Sequence, residues 1–267
     1  MNEWINQAIK LRKDGLSYAK IAKELGKSKQ TVSYYLKEEG YGPNEKYIRT
    51  NQKQPNKKYV NENYFETIDT EEKAYWLGFM YADGCVNSSR DSIELSLKEE
   101  DYEHIVKFKN ALNSEHKIGK KIKCINNKKY ISYRLCIKSK KLKNDLIKHG
   151  CIPKKTKTLI FPNLRNDLVI HFIRGYVDGD GCITTHKTSK ISLEILGTYD
   201  FLNGIRNFFN LDNSKYIYGF NHSDIKRLVI TGQKAFNIIE SMYKNCTISL
   251  DRKFNRYKEF APLFRDE

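Results

Sequence analysis

One spaced repetition constrains the fold of this chain more than any other feature of it. The stretch EEKAYWLGFMYADGCV (71–86) lines up with VIHFIRGYVDGDGCI (169–183). Gly78 then pairs with Gly175, Asp83 with Asp180, Gly84 with Gly181 and Cys85 with Cys182, each 97 positions apart. SIELSLKEEDYEHIVKFKNAL matches KISLEILGTYDFLNGIRNFFN at an offset of 98 to 99, and YISYRLCIKSKKLKNDLIKHG resembles DIKRLVITGQKAFNIIESMYKN. PKKT falls opposite DRKF, with Lys155 and Lys253 98 apart. Near-constant spacing through four blocks means a duplicated unit. Each copy reads helix, two strands, helix, two strands, helix. The expectation is an α+β domain of two pseudo-symmetric αββαββα repeats, 66–164 and 165–267.

The repeated block carries the chemistry. In each copy an apolar helix ends in Asp-Gly and presents two small residues four apart, Gly78 and Ala82, then Gly175 and Gly179. Residues four apart share a helix face, and small ones there let a second helix approach closely. If the two helices meet on those faces, Asp83 and Asp180 arrive side by side. Two carboxylates at paired helix C-termini repel each other and add to the negative end of each macrodipole. A shared divalent cation compensates directly. Oxygen donors suit Mg²⁺, with Mn²⁺ as an alternative, because Mg²⁺ takes one or two protein carboxylates together with phosphate oxygens and waters. A lone Asp-Gly is a common turn; its duplication on equivalent helices points to a site.

The charge points to the partner. The chain is +16 at neutral pH, which suits a polyanion. His116 to Lys157 holds fifteen Lys or Arg against one acid, Asp145. There KIGKKIKCINNKKYISYRLCIK interleaves basic residues with β-branched residues and tyrosines at strand spacing. This predicts a basic sheet face carrying Lys120, Lys121, Lys123, Lys128, Lys129, Arg134 and Lys138, with DNA or RNA favoured over an anionic membrane surface. No apolar run approaches a membrane span and no signal peptide opens the chain, so an intracellular protein is expected. The six cysteines form no C-x-x-C pair, and buried reduced thiols are expected.

Residues 1–42 read as three short helices. Ser17 and Ser28 are placed as N-caps, and Gly15, Gly26 and Gly40 as stops. Ile21, Ala22, Leu25, Val32 and Leu36 would pack the last two helices together. Two helices joined by a tight glycine turn form a helix-turn-helix signature. Lys27, Lys29, Gln30, Thr31, Ser33 and Tyr34 are then left to read a major groove. A helical bundle with no nucleic-acid role fits the same pattern. Residues 43–65, rich in Asn, Gln and Lys with two prolines, read as a basic linker, either a passive tether or a backbone-tracking arm.

WLGFMYADG (76–84) and IRGYVDGDG (173–181) resemble the two motifs of the LAGLIDADG homing endonuclease family in its single-chain, two-repeat form, from Tyr64 to Glu267. The resemblance implies paired central motif helices and two antiparallel sheets that lie along the major groove. It implies Asp83 and Asp180 as catalytic, metal-binding acids, with the peptide carbonyls of Ala82 and Gly179 as further metal ligands. It also implies a lysine in each repeat: IPKKTK and LDRKFN give Lys155 and Lys253, with Lys154 and Arg252 as neighbouring alternatives. Tyr81 stands where many members carry a second acid, whereas Asp178 keeps it. Leu77 and Arg174 replace a frequent alanine and would widen the helix packing. The N-terminal module resembles those fused to mobile nucleases of phages and introns. The implied activity is site-specific, metal-dependent double-strand DNA cleavage by a monomer. The alternatives are a non-cleaving transcription regulator and an intron RNA maturase.

Overall fold

The computed structural model describes residues 3–42, 58–186, 190–212, 216–219 and 223–265. The chain divides into two units, Met1–Lys57 and Lys58–Glu267. In the first unit, α1 (Glu3–Lys13), α2 (Tyr18–Glu24) and α3 (Lys29–Glu38) enclose Ile5, Ala8, Ile21, Ala22, Val32 and Leu36. Ser17 accepts from the Lys20 amide and Ser28 from the Thr31 amide, so both predicted caps form. Gly26 closes the turn between α2 and α3 at φ +63°, a region that costs an ordinary side chain about 1–2 kcal/mol.

The second unit contains the repeat. The first copy runs α4 (Glu71–Ala82), β1 (Gly84–Val86), β2 (Ser92–Lys98), α5 (Tyr102–Ala111), β3 (Gly119–Ile125), β4 (Lys128–Lys138) and α6 (Lys140–Lys148). The second runs α7 (Asn166–Asp180), β5 (Cys182–His186), β6 (Lys190–Gly197), α8 (Tyr199–Phe208), β7 (Ile217–Gly219), β8 (Lys226–Thr231) and α9 (Gly232–Tyr243), followed by α10 (Asp251–Arg265). Both sheets are antiparallel, with matching orders β1-β2-β4-β3 and β5-β6-β8-β7. Strand parity sets their faces. Ile93, Leu95, Leu97, Leu135 and Ile137, with Ile191, Leu193, Ile195, Leu228 and Ile230, turn inward under the helices. The opposite face of each sheet is left to solvent, as antiparallel sheets permit.

The expected linker divides. Residues 43–57 lie outside the described residues. Val60, Tyr64 and Phe65 are buried in the main core, and the backbone of 59–61 bonds to Leu112 and Glu115. Residues 58–65 therefore belong to the second unit, anchored by Val60, Tyr64 and Phe65, while Lys58, Tyr59 and Asn63 stay exposed. Among the described residues, no helix is long and apolar enough to cross a membrane.

Candidate active site and nucleic-acid interface

α4 and α7 pack with their backbones in contact. A Cβ on Gly78 would overlap the carbonyl oxygen of Phe172, and one on Gly175 would overlap that of Tyr75. Tyr75 and Phe172 are themselves 97 apart, so the contact is its own mirror across a pseudo-two-fold axis. One turn further along, a Cβ on Gly179 would overlap that of Ala82 and stand 3.4 Å from Asp83 Oδ2. The four small residues read from the sequence are those at this crossing. Arg174 does not widen it. Its guanidinium is drawn off the helix seam to Glu71 (2.7 Å) and to the carbonyls of Met242 (2.9 Å) and Ile248 (3.0 Å).

This crossing brings Asp83 and Asp180 together at its end, beside the packed backbones, with both side chains still reaching solvent. Burial, and then the charge of Asp180, push Asp83 up to about 6. Burial likewise raises Asp180, against the lowering influence of Lys155 and Lys253. The two lysines occupy equivalent places. Lys155 Nζ donates to the Gly84 carbonyl and Lys253 Nζ to the Gly181 carbonyl, the glycine after each aspartate. Lys253 also donates to the Val177 carbonyl, whereas the matching Met80 carbonyl receives the Cys151 thiol at 3.4 Å. Lys253 is deeply enclosed, and burial lowers it to about 8. Of the alternatives, Arg252 turns away to Asp101 (Nε–Oδ1 3.0 Å). Lys154 sits before the lysine that reaches Gly84, in a left-handed conformation at φ 57°.

Two carboxylates, with the free carbonyl ends of two helices behind them, form an oxygen donor set. Among the described residues no group of three or more His, Cys, Asp or Glu is placed to hold a metal ion. The chemistry of the two acids, with the Ala82 and Gly179 carbonyls, would suit a hard divalent cation that completes its shell from phosphate and water. Two clefts flank the acids. One is lined by Tyr81, Ala82, Lys155, Thr156, Tyr176 and Asp180. The other is lined by Gly181, Arg252, Lys253, Arg256 and Glu259. Arg256, one turn beyond Lys253 on α10, escaped the sequence reading; its i+3 spacing from Lys253 was the available signal.

Asp178 is not part of the pair. It is fully buried, which raises its pKa. It accepts from the hydroxyls of Tyr75 (2.7 Å) and Tyr243 (2.5 Å) and from the Leu250 amide (2.7 Å). It therefore bolts α7 to α4, α9 and the turn before α10. Tyr75 has one hydroxyl proton and directs it to Asp178, so His104 Nε2 (2.9 Å) supplies the other hydrogen bond. Burial lowers His104 to about 3 and keeps it neutral.

Strand register sorts the predicted DNA residues. Lys121, Lys123, Lys128, Arg134 and Lys138 share the uncovered face of the first sheet with Lys98, Tyr130 and Ser132. Lys120 and Lys129 have the opposite parity. Lys120 Nζ lies over the Tyr133 ring at 5.5 Å and near Glu99 at 3.7 Å. They are exposed only because the β3–β4 hairpin runs beyond the helices. Cysteine burial was wrongly expected. Cys151 is buried, but Cys85, Cys124 and Cys182 are exposed, the first and last because parity puts them on the uncovered faces beside the aspartates. On α3, Lys29, Gln30, Ser33 and Tyr34 line an open face that also includes Lys37 and Glu38, which the sequence reading missed. Thr31 is half-buried and its hydroxyl meets that of Ser28 at 2.8 Å. Lys27 leans over the Trp4 ring at 5.7 Å.

Residues 7–44 match the family model described as a homeodomain-like domain. No curated protein matches the chain. The solved structures it resembles are LAGLIDADG enzymes. The meganuclease I-SmaMI bound to uncleavable DNA is 12% identical over 71% of this chain and 89% of that one, with a TM-score of 0.48. The LAGLIDADG meganuclease I-AabMI bound to uncleaved DNA is 13% identical over 72% and 89%, with a TM-score of 0.47. The I-LtrWI LAGLIDADG homing endonuclease bound to target DNA is 11% identical over 77% and 91%, with a TM-score of 0.46. The two-repeat architecture rests on strand order and helix contact within this chain, not on likeness at these scores.

Proposed function

We propose that this chain is a site-specific double-strand DNA endonuclease of the LAGLIDADG type, intracellular and monomeric, that makes a staggered, Mg²⁺-dependent cut. The observation that carries the reading is the crossing of α4 and α7. It sets two aspartates side by side about a pseudo-two-fold axis, each followed by a glycine whose carbonyl holds a lysine. That symmetry matches a duplex, whose two strands are themselves related by a dyad.

The bound cation would lower the pKa of water and neutralise charge on the leaving oxygen. The chain's own residues do the rest. Asp83 and Asp180 orient attack at the two scissile phosphates. Lys155 and Lys253 put one positive charge beside each, where charge develops in an in-line displacement. The lysines of the first sheet and Arg256, in the cleft beside Lys253, contact phosphates, and the uncovered strand faces read base edges. The homeodomain-like helices add a second duplex contact through Gln30, Ser33 and Tyr34 on α3.

The test is selection of cleaved molecules from a random duplex library with Mg²⁺ or EDTA. The expected result is specific double-strand scission with Mg²⁺ alone, lost in Asp83→Asn and Asp180→Asn. Retained cleavage by either variant overturns the assignment. Tight, sequence-selective binding with no cut favours the regulator, and splicing of a precursor RNA by the Asp→Asn protein favours the maturase.

A further inference from the structure

The uncovered faces of the two sheets differ at many positions, yet one arrangement of charge occurs twice. On the first sheet Glu94 lies between Cys85 of β1 and Cys136 of β4. Arg134, two residues back along β4, lies across from Ser96 and brings Nη1 within 3.6 Å of Glu94 Oε2. On the second sheet Glu194 lies between Cys182 of β5 and Val229 of β8. Arg227, two residues back along β8, lies across from Leu196 with Nη1 3.8 Å from Glu194 Oε1. The diagonal is the same, and each glutamate lies across from a cysteine two residues beyond an aspartate of the central site. Around it the faces diverge: Ser96, Cys136 and Lys138 on one stand where the other has Leu196, Val229 and Thr231.

The fold does not need these pairs. All four side chains are between about a third and a half exposed, and exposed ion pairs contribute about 0–1 kcal/mol. Nor do they suit phosphate. A guanidinium already half-neutralised by a carboxylate is a poor clamp for a phosphodiester anion, whereas the lysines beside it are better ones. What a held, planar guanidinium suits is a guanine edge, where O6 and N7 accept both of its forked donors.

We propose that Arg134 and Arg227 are specificity-determining residues that each read a guanine of the same base pair in the two half-sites, with Glu94 and Glu194 orienting the guanidinium. This deepens the endonuclease reading and rests on it. Because the two arginines occupy equivalent register positions, their guanines lie at equal distances from the centre on opposite strands. Each arginine stands two strand spacings, about 10 Å, from the strand that leaves the central aspartate. The base pair therefore lies a few steps outward from the cut. The target is palindromic at that pair and asymmetric where the faces diverge.

The experiment selects bound duplexes from a random library with the full chain in EDTA and sequences them, for the parent, Arg134→Ala, Arg134→Lys and Arg227→Ala. The parent should enrich two guanines on opposite strands at mirrored positions. Arg134→Ala should erase the preference at one, about ten- to a hundred-fold, and Arg227→Ala at the other, with unchanged melting temperatures. Arg134→Lys keeps the charge but loses the fork, so it should relax that base while holding overall affinity. Enrichment without mirrored guanines overturns the inference while leaving the endonuclease reading intact. So does an Arg134→Ala variant that weakens all duplexes alike. No enrichment of any duplex overturns the reading, and the inference with it.

Discussion

Asp83 works against the fold that holds it. Its carboxyl stands near 6 rather than the ordinary 3.8, first through burial and then through Asp180. A raised folded value means that the folded state binds the proton more tightly. The electrostatic cost is therefore absent below about pH 4, appears as pH rises, and is complete above about pH 6. Asp83→Asn should thus raise stability in metal-free buffer above pH 6, by about 1 kcal/mol or less because solvent screens a carboxylate this exposed, and the gain should fade towards pH 4. Urea unfolding of parent and variant across that range is the measurement, and an Asn variant no more stable at pH 7 would contradict it. This pair was legible in the sequence because both members recur at one offset. Asp178 was legible only as an acid without a partner. The partners that define it, Tyr75 and Tyr243, lie 103 and 65 residues away, and nothing local announces a buried acceptor. The Glu–Arg pairs were hidden for a related reason. Their spacing along the chain differs between repeats, and only strand register shows that the diagonal is the same.

Among the elements, α4 and α7 are constrained most tightly, because their glycines let backbone meet backbone. Gly78→Ala or Gly175→Ala would drive a methyl group into a carbonyl oxygen of the other helix. Overpacking of this kind costs about 1–3 kcal/mol, occasionally more. The helices can relieve it only by separating, which moves Asp83 from Asp180. Cleavage should therefore fall much further than duplex affinity, a split that rate and binding measurements on the same variant would show. The small-residue spacing made this contact readable in advance, because helical periodicity is fixed. The sheets were less readable. A run of seven lysines and arginines identifies a basic hairpin but not which members share a face, which depends on a register set by the β2–β4 pairing. That face can be mapped chemically. Cys85 and Cys182 sit on the uncovered faces, and Cys124 is exposed with the opposite parity. Bound duplex should shield Cys85 and Cys182 from maleimide while leaving Cys124 reactive. Equal shielding of all three, or of Cys124 alone, would mean that DNA meets another surface.

Across the described residues of the second unit, a symmetric pair of aspartates is flanked by two sheets of unequal charge. The described uncovered face of β1–β4 carries Lys98, Lys121, Lys123, Lys128, Arg134 and Lys138 against Glu94. That of β5–β8 carries Arg227 against Glu194 among Thr184, Ser192, Leu196, Tyr218 and Thr231. Counterion release ties each phosphate contact to about 0.9 in the slope of log affinity against log salt. A first repeat that grips phosphates and a second that reads mainly by shape and base edge should therefore contribute unequally to that slope. Replacing Lys121, Lys123 and Lys128 with glutamine should lower its magnitude by roughly 2 to 3. Replacing Arg227 should leave it almost unchanged, since a base contact carries little salt dependence. Titrations of one duplex at several salt concentrations, with the full chain so that the homeodomain-like helices contribute equally throughout, separate the two. Equal slopes for the triple-lysine variant and the parent would mean that the basic hairpin stands off the backbone. The asymmetry would then have no part in how the duplex is held. The unequal slopes expected here would instead mean that one half-site is captured electrostatically and the other is accepted only when its bases fit.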